Sequence, residues 1–199
     1  MPFLKTKVGS LFNPGFLRSA GLLLVILTGS VIINLSLNAQ KPLSREYQLK
    51  AVFLSNFTQF VLWPDSAFQQ SDSPLIIGIL GVDPFGSYLD ENIRGEAVGT
   101  HPLEVRRYAT TEKINECHIL FIKIKNKNTI SRALDKLKCQ SILTVSETEN
   151  FTRIGGMIEF YNDTAKIRLR INVQPATDAN LVISSKLLRL AEIDSTKSN

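Results

Sequence analysis

Hydrophobic positions along the chain follow two different patterns. Leu75–Leu80, His118–Ile122 and Ser141–Val145 are short, nearly continuous apolar runs, as expected of strands covered on both faces. Leu103–Tyr108 reads as a further strand. Between them, Ser87–Arg94, Glu112–Glu116 and Thr129–Leu137 read as helices. Strands alternating with helices predict an α/β fold with a mostly parallel sheet, flanked by helices on both faces in a three-layer sandwich. The pattern changes after Val145. Gly155-Gly156 introduces a strand at Met157–Tyr161, Asn162-Asp163 is a turn signal, and Lys166–Val173 alternates Ile167, Leu169 and Ile171 with Lys166, Arg168 and Arg170. That alternation predicts an antiparallel hairpin at one edge of the sheet, its three cations discouraging further pairing. Pro175–Ala179 and Ser185–Ala191 are expected to be helical, and the tail from Asp194 to be frayed.

Ahead of the first strand, Ser44 caps a helix expected over Arg45–Trp63, which Trp63-Pro64 stops. Its apolar residues spread over more than half the circumference, which predicts a helix buried against the body. Glu46 and Lys50 lie inside that arc at i,i+4, with the acid N-terminal, the favourable order for an ion pair.

Composition narrows the class. The 199 residues are 44% hydrophobic and 21% charged, in the range of one ordinary globular domain. The formal charge of +5 is unevenly placed: residues 1–39 hold Lys5, Lys7 and Arg18 and no acid, leaving 20 basic against 18 acidic residues in the rest. A body so near neutrality offers no electrostatic footprint for nucleic acid. The basic start, the apolar run Ala20–Ile33 and the small residue in Leu37-Asn38-Ala39-Gln40 describe a secretory signal cut after Ala39. The alternative is a retained membrane anchor stretched to Leu37, although Thr28, Gly29, Ser30, Asn34 and Ser36 dilute it. The expected organisation is therefore a signal at 1–39, one domain at 40–193 and a tail at 194–199, with the domain outside the cytosol.

That location bears on the two cysteines. Cys117 and Cys139 each precede an apolar run, and in a βαβ unit both fall at the same end of neighbouring parallel strands, within the span of a disulfide. A bridge and two separate thiols both remain open. The cysteines and the two histidines, His101 and His118, lack metal-site spacing, so no metal or cofactor is expected.

Catalytic constellations are sparse. His118 adjoins a core strand and reads as structural. Ser184 beside Lys186 suggests a Ser/Lys pair only superficially, because helical neighbours diverge, and a helix cap explains Ser184 better. The loop Gly81–Gly86 ends a strand and begins a helix, where open α/β sheets bind ligands. Asp83 either caps the following helix, with Pro84 in its first turn, or contacts a ligand. Candidate pocket residues are Asp83, Phe85 and Gly86, with Ser146 and Glu147 from another strand end.

Several separated blocks resemble the YfiR family. They are Tyr47-x-x-Lys50-Ala51-x-Phe53-Leu54-x-Asn56-Phe57 with Trp63-Pro64, Gly81-x-Asp83-Pro84-Phe85-Gly86, and Cys117–Ile122. Leu143–Ser146, Gly155-Gly156-Met157-Ile158-x-Phe160, Ile171-Asn172 and Ile183–Ala191 complete the set. The resemblance spans Tyr47 to Ala191. It implies a periplasmic regulator without catalytic activity that restrains an inner-membrane diguanylate cyclase through that enzyme's periplasmic portion, and so affects cyclic-di-GMP and biofilm formation. A sensor kinase is an alternative partner. The resemblance also implies a homodimer, a disulfide and control by a small-molecule ligand. The rival reading is a periplasmic solute-binding protein or transporter accessory, although one domain lacks the second lobe that usually closes over a solute.

Overall fold

The computed structural model describes residues 43–114, 116–164 and 166–194. The expected signal at 1–39 and the end of the tail, residues 195–199, lie outside them. Among the described residues no helix is long and apolar enough to cross a membrane.

In chain order the elements are α1 (Arg45–Phe60), β1 (Val61–Leu62), β2 (Leu75–Gly81), α2 (Ser87–Ile93), β3 (Ala97–Val98), β4 (His101–Tyr108) and β5 (Ile119–Lys123). They continue with α3 (Lys127–Leu137), β6 (Leu143–Ser146), β7 (Ile158–Asp163), β8 (Lys166–Ile171), α4 (Val173–Asp178), β9 (Val182–Ile183), α5 (Ser185–Leu188) and β10 (Ala191–Ile193). Single 3-10 turns occupy Asp65–Ala67, Thr111–Lys113 and Thr152–Ile154. One mixed sheet has the order β10-β8-β7-β6-β5-β2-β4-β3, and β1 pairs with β9 in a separate antiparallel ribbon. From β4 to β7 all neighbours are parallel. Numbered by their appearance in the chain, those five strands run 2-1-3-4-5, a doubly wound order that reverses direction between β2 and β5.

The continuous apolar runs follow from two cores, one on each face. Ile77 and Ile79 of β2, with Ile119 and Phe121 of β5, face the side that carries α1, α2, α4 and α5. Leu80, Leu120 and Ile122 face α3 and the Tyr108–Cys117 segment. Period-2 alternation therefore vanishes from the sequence, because both faces are dry. Gly78 lies on the second face, where a Cβ would come within 2.6 Å of Cys117 Sγ and 2.7 Å of the Tyr108 ring. On α3, Ile130, Ala133, Leu134 and Leu137 form the buried stripe. The Asn126 side chain caps that helix at the amides of Asn128 and Thr129.

Several expectations are corrected in detail. Helix α1 stops at Phe60 rather than Trp63, because Val61 and Leu62 pair with Ile183 and Val182. Its fully buried stripe is Lys50, Ala51, Leu54, Phe57 and Thr58, narrower than its apolar arc, so Leu49 remains 46% exposed. The β7–β8 hairpin forms, with Asn162 and Asp163 paired to Ile167 and Lys166 as the end of β7 rather than as the expected turn, and it is not the edge. Helix α5 ends at Leu188 and β10 adds a parallel strand outside β8. Arg170 is consequently half-buried and reaches both Glu159 and Glu192. Asp194, expected to fray, is tied down: its amide donates to Ile171 O at 2.8 Å and its carboxylate accepts from Thr152 Oγ1 at 2.8 Å.

His118 anchors the opposite, amino end of the strands. Its Nδ1 accepts the Ile76 amide at 3.0 Å, which fixes the tautomer that donates from Nε2 to Ala67 O at 3.1 Å. Phe68 stacks between it and His101, at 4.4 and 3.8 Å between ring centres, and Trp63 Nε1 donates to His118 O at 3.2 Å. The imidazole is thus a structural clamp on residues 63–76. Burial pushes its pKa down from 6.5 to about 4, because a charged ring there would lose its hydration. The unfolded chain takes up this proton at higher pH than the folded one. Stability from His118 is therefore full above about 6.5 and is lost as the pH falls towards 4. Urea melts are expected to show the wild type losing up to about 3 kcal/mol more than His118→Asn across that window. Equal losses in the two proteins would remove His118 from the acid response.

Candidate functional site

The topology places one crevice where ligands usually bind in such sheets, at the carboxyl ends of β2, β5 and β6 beside the reversal of strand order. Gly81 ends β2 opposite Lys123, the last residue of β5, and Ile122 is opposite Ser146. The strands run so close there that a Cβ on Gly81 would sit 2.4 Å from Lys123 O, and its φ of +93° also favours glycine. Into this crevice α1 brings Tyr47 and Lys50 from its first turns, and the residue after β6 is Glu147.

Glu147 is the hub. Its Oε2 accepts from Lys50 Nζ at 2.5 Å, and its Oε1 accepts from Tyr47 Oη at 2.9 Å and from Lys123 Nζ. Lys123 also donates to Tyr47 Oη, and Lys50 donates to Glu46 Oε1 at 2.5 Å. Both ammonium groups lie over the Tyr47 ring, 4.9 Å and 4.5 Å from its centre. Burial alone would raise the Glu147 carboxyl pKa. Bonds from Lys123 and Lys50, with the Tyr47 hydroxyl, outweigh burial and hold it below its ordinary value. Beneath Tyr47, Phe85 meets its ring edge-on at 5.9 Å and packs on Phe121 at 4.9 Å, so the floor is aromatic and filled. Two lysines face two glutamates, and every charge is spent inside the cluster.

Of the five pocket residues expected from the sequence, the structure brings four to this crevice in structural roles. Phe85 is 1% exposed. Ser146 is fully buried, its hydroxyl donating to Ile122 O at 2.8 Å and accepting the Thr148 amide at 3.1 Å. Asp83 Oδ1 accepts the amides of Phe85 and Gly86, two and three residues on, within the loop. Helix α2 begins only at Ser87, so Asp83 stabilises the turn and Pro84 precedes the helix. The other Asp83 oxygen pairs with Arg107 at 2.7 Å, and Arg107 also holds Asp90 and Gly86 O. The Arg107 bond keeps the Asp90 carboxyl below its usual range. Gly86 takes φ +55° ahead of α2 and stays exposed. Glu147 is the fifth, and the only one with a central electrostatic role.

Tyr47 and Lys123 escaped the sequence reading of this site. Lys50 was legible through its i,i+4 spacing from Glu46, but a lysine closing a strand looks like any surface cation. Ser184 behaves as expected, its hydroxyl accepting the Leu187 amide at 3.4 Å. Of the two readings left open for the cysteines, the structure has them as free thiols. Strands β5 and β6 are indeed parallel neighbours. However, Cys117 turns inward and donates to Ile119 O at 3.1 Å, whereas Cys139 is exposed beyond α3 with φ +64°. Burial pushes the Cys117 thiol up to about 12, which keeps it protonated and inert.

Fold and crevice together define a doubly wound α/β domain whose usual ligand position holds a cluster of mutually paired charges, beside an open cavity of about 310 Å³ that Tyr47, Lys50 and Glu147 help to line. The chain belongs to the YfiR/HmsC-like family, whose profile matches residues 47–192. This is a regulatory, non-catalytic family of periplasmic proteins acting in cyclic-di-GMP signalling. Comparison with curated proteins gives no significant match.

Two outcomes are expected. Glu147→Gln leaves Lys50, whose side chain is only 4% exposed, with half its compensation and lowers stability by about 2–3 kcal/mol, against about 1 kcal/mol for Tyr47→Phe. Equal small losses by denaturant melts would show the cluster to be decorative. In thiol counting under native conditions, Cys139 alone reacts, and Cys117 joins it only on unfolding. No reaction in either state without reductant would mean that the two are bridged.

Proposed function

We propose that this protein restrains an inner-membrane signalling protein of the diguanylate cyclase type by direct contact on the periplasmic side, after export by the signal at 1–39. Family membership supports the compartment and the pathway. The observation that carries contact rather than chemistry is the crevice, where Glu147, Lys50, Lys123 and Tyr47 satisfy one another. A protein that works by contact needs surface apolar groups, and the β1–β9 ribbon provides a pair. Leu62 and Val182 are directly opposite each other, hence on one face, and are 67% and 60% exposed. Their neighbours in register, Val61 and Ile183, turn into the core and hold the ribbon in place.

Restraint requires the contacted receptor to prefer its inactive state when bound, a coupling of about 1–3 kcal/mol in typical cases. The test is a reconstitution of the mature protein with full-length inner-membrane diguanylate cyclases of the same organism, reading cyclic-di-GMP formation. Added protein is expected to lower the rate, and Leu62→Asp with Val182→Asp to relieve the inhibition without changing the melting temperature. Failure to retain any envelope cyclase, kinase or receptor, together with an unchanged cyclase rate, overturns the proposal.

A further inference from the structure

A groove lies at the amino end of the strands, away from the Glu147 cluster. It has a volume of about 570 Å³ and runs between α3, the Arg153–Met157 segment and α4. That size falls within the roughly 300–1,000 Å³ of small-molecule sites. Its apolar surface comes from Leu134, Leu137, Ile154, Met157 and Pro175. Ser131 and Asp135 project along one face of α3, at i and i+4, Lys138 follows the last residue of the helix, and Arg153 rises from the facing segment.

Most charged groups in this groove differ from those of the crevice in being unspent. Among the described residues, no hydrogen bond or ion pair reaches the side chains of Asp135, Lys138 or Arg153. Thr144, 2% exposed, lines the groove. Its Oγ1 accepts the Met157 amide at 3.1 Å, and no acceptor takes its own proton. The groove therefore offers the free carboxylate of Asp135, two free cations and one buried hydroxyl donor around an apolar surface, while its second carboxylate, Asp178, accepts from Gln174 Nε2 at 2.7 Å.

We propose that this groove binds a short zwitterionic peptide with apolar side chains. The peptide's ammonium group pairs with Asp135 and its carboxylate with Arg153 and Lys138. Its side chains lie on Leu134, Leu137, Ile154 and Met157, and a backbone carbonyl accepts from Thr144. A simple anion leaves Asp135 uncompensated, and a simple cation leaves Arg153 and Lys138 facing nothing. Opposite charges on one apolar ligand use both sides.

Cys139 lines the same groove and serves as a reporter, while the buried Cys117 serves as a silent control. The experiment measures the rate of Cys139 alkylation by iodoacetamide, with and without trileucine, alongside calorimetry. Trileucine is expected to slow alkylation about tenfold at saturation, and Asp135→Asn or Arg153→Ala to weaken its binding about tenfold each. Both positions are exposed, and unchanged melting curves would show that the variants remain folded. An unchanged alkylation rate with no heat of binding overturns the proposal, as does equal protection by octanoate or by the doubly capped peptide. The measurement uses this protein alone, so its failure leaves the restraint of a membrane cyclase standing.

Discussion

A buried ammonium group must be neutralised, and in this protein that requirement fixes one end of the fold. The Lys50 side chain is 4% exposed, and bringing a lone charge into such a place costs several kcal/mol. Glu46 from its own helix and Glu147 from the end of β6 compensate it, and Tyr47 and Lys123 complete the hydrogen bonding. The geometry that satisfies these groups seats the start of α1 over the strand ends. It also tilts Tyr47 onto Phe85 and so fills the floor of the crevice in which doubly wound sheets usually hold a ligand. A fold that elsewhere presents a reaction site here presents a cluster of paired charges.

In the crevice, Glu147, Lys50, Lys123 and Tyr47 spend their donors and acceptors on one another. Among the exposed features are the β1–β9 ribbon with Leu62 and Val182 and a groove in which Asp135, Lys138 and Arg153 are unpaired. On the two proposals, a ligand at one end and a membrane partner elsewhere would be the two separate sites that a signalling regulator needs. The His118 clamp and the two dry cores give the rigid body between them.

The sequence revealed the centre of this fold more clearly than its margins. Leu75–Leu80 and Ile119–Ile122 announce themselves as central strands because no polar residue interrupts a segment dry on both faces. The Glu46–Lys50 pair and the Ser184 cap were readable because helical spacing and capping are local rules. Strand β10 was not, since three residues carry no periodicity and Ala191–Ile193 becomes a strand only by pairing with β8. The pairing of the cysteines stayed open in the sequence for a related reason. Neighbouring strands set where the backbone runs but not which way Cys117 turns. Glu147 was picked out as a ligand contact from its position at a strand end. Its partner Lys50 comes from 97 residues earlier, a proximity that only the folded chain supplies.

The charge cluster is tested most directly by a double-mutant cycle between Lys50 and Glu147, with Lys50→Met and Glu147→Gln measured singly and together by urea unfolding. A shared, mutually compensating pair predicts a coupling of about 2 kcal/mol or more, the double variant being far less destabilised than the two single losses imply. Additivity within about 0.5 kcal/mol would mean that the two charges do not depend on each other, and would contradict the account.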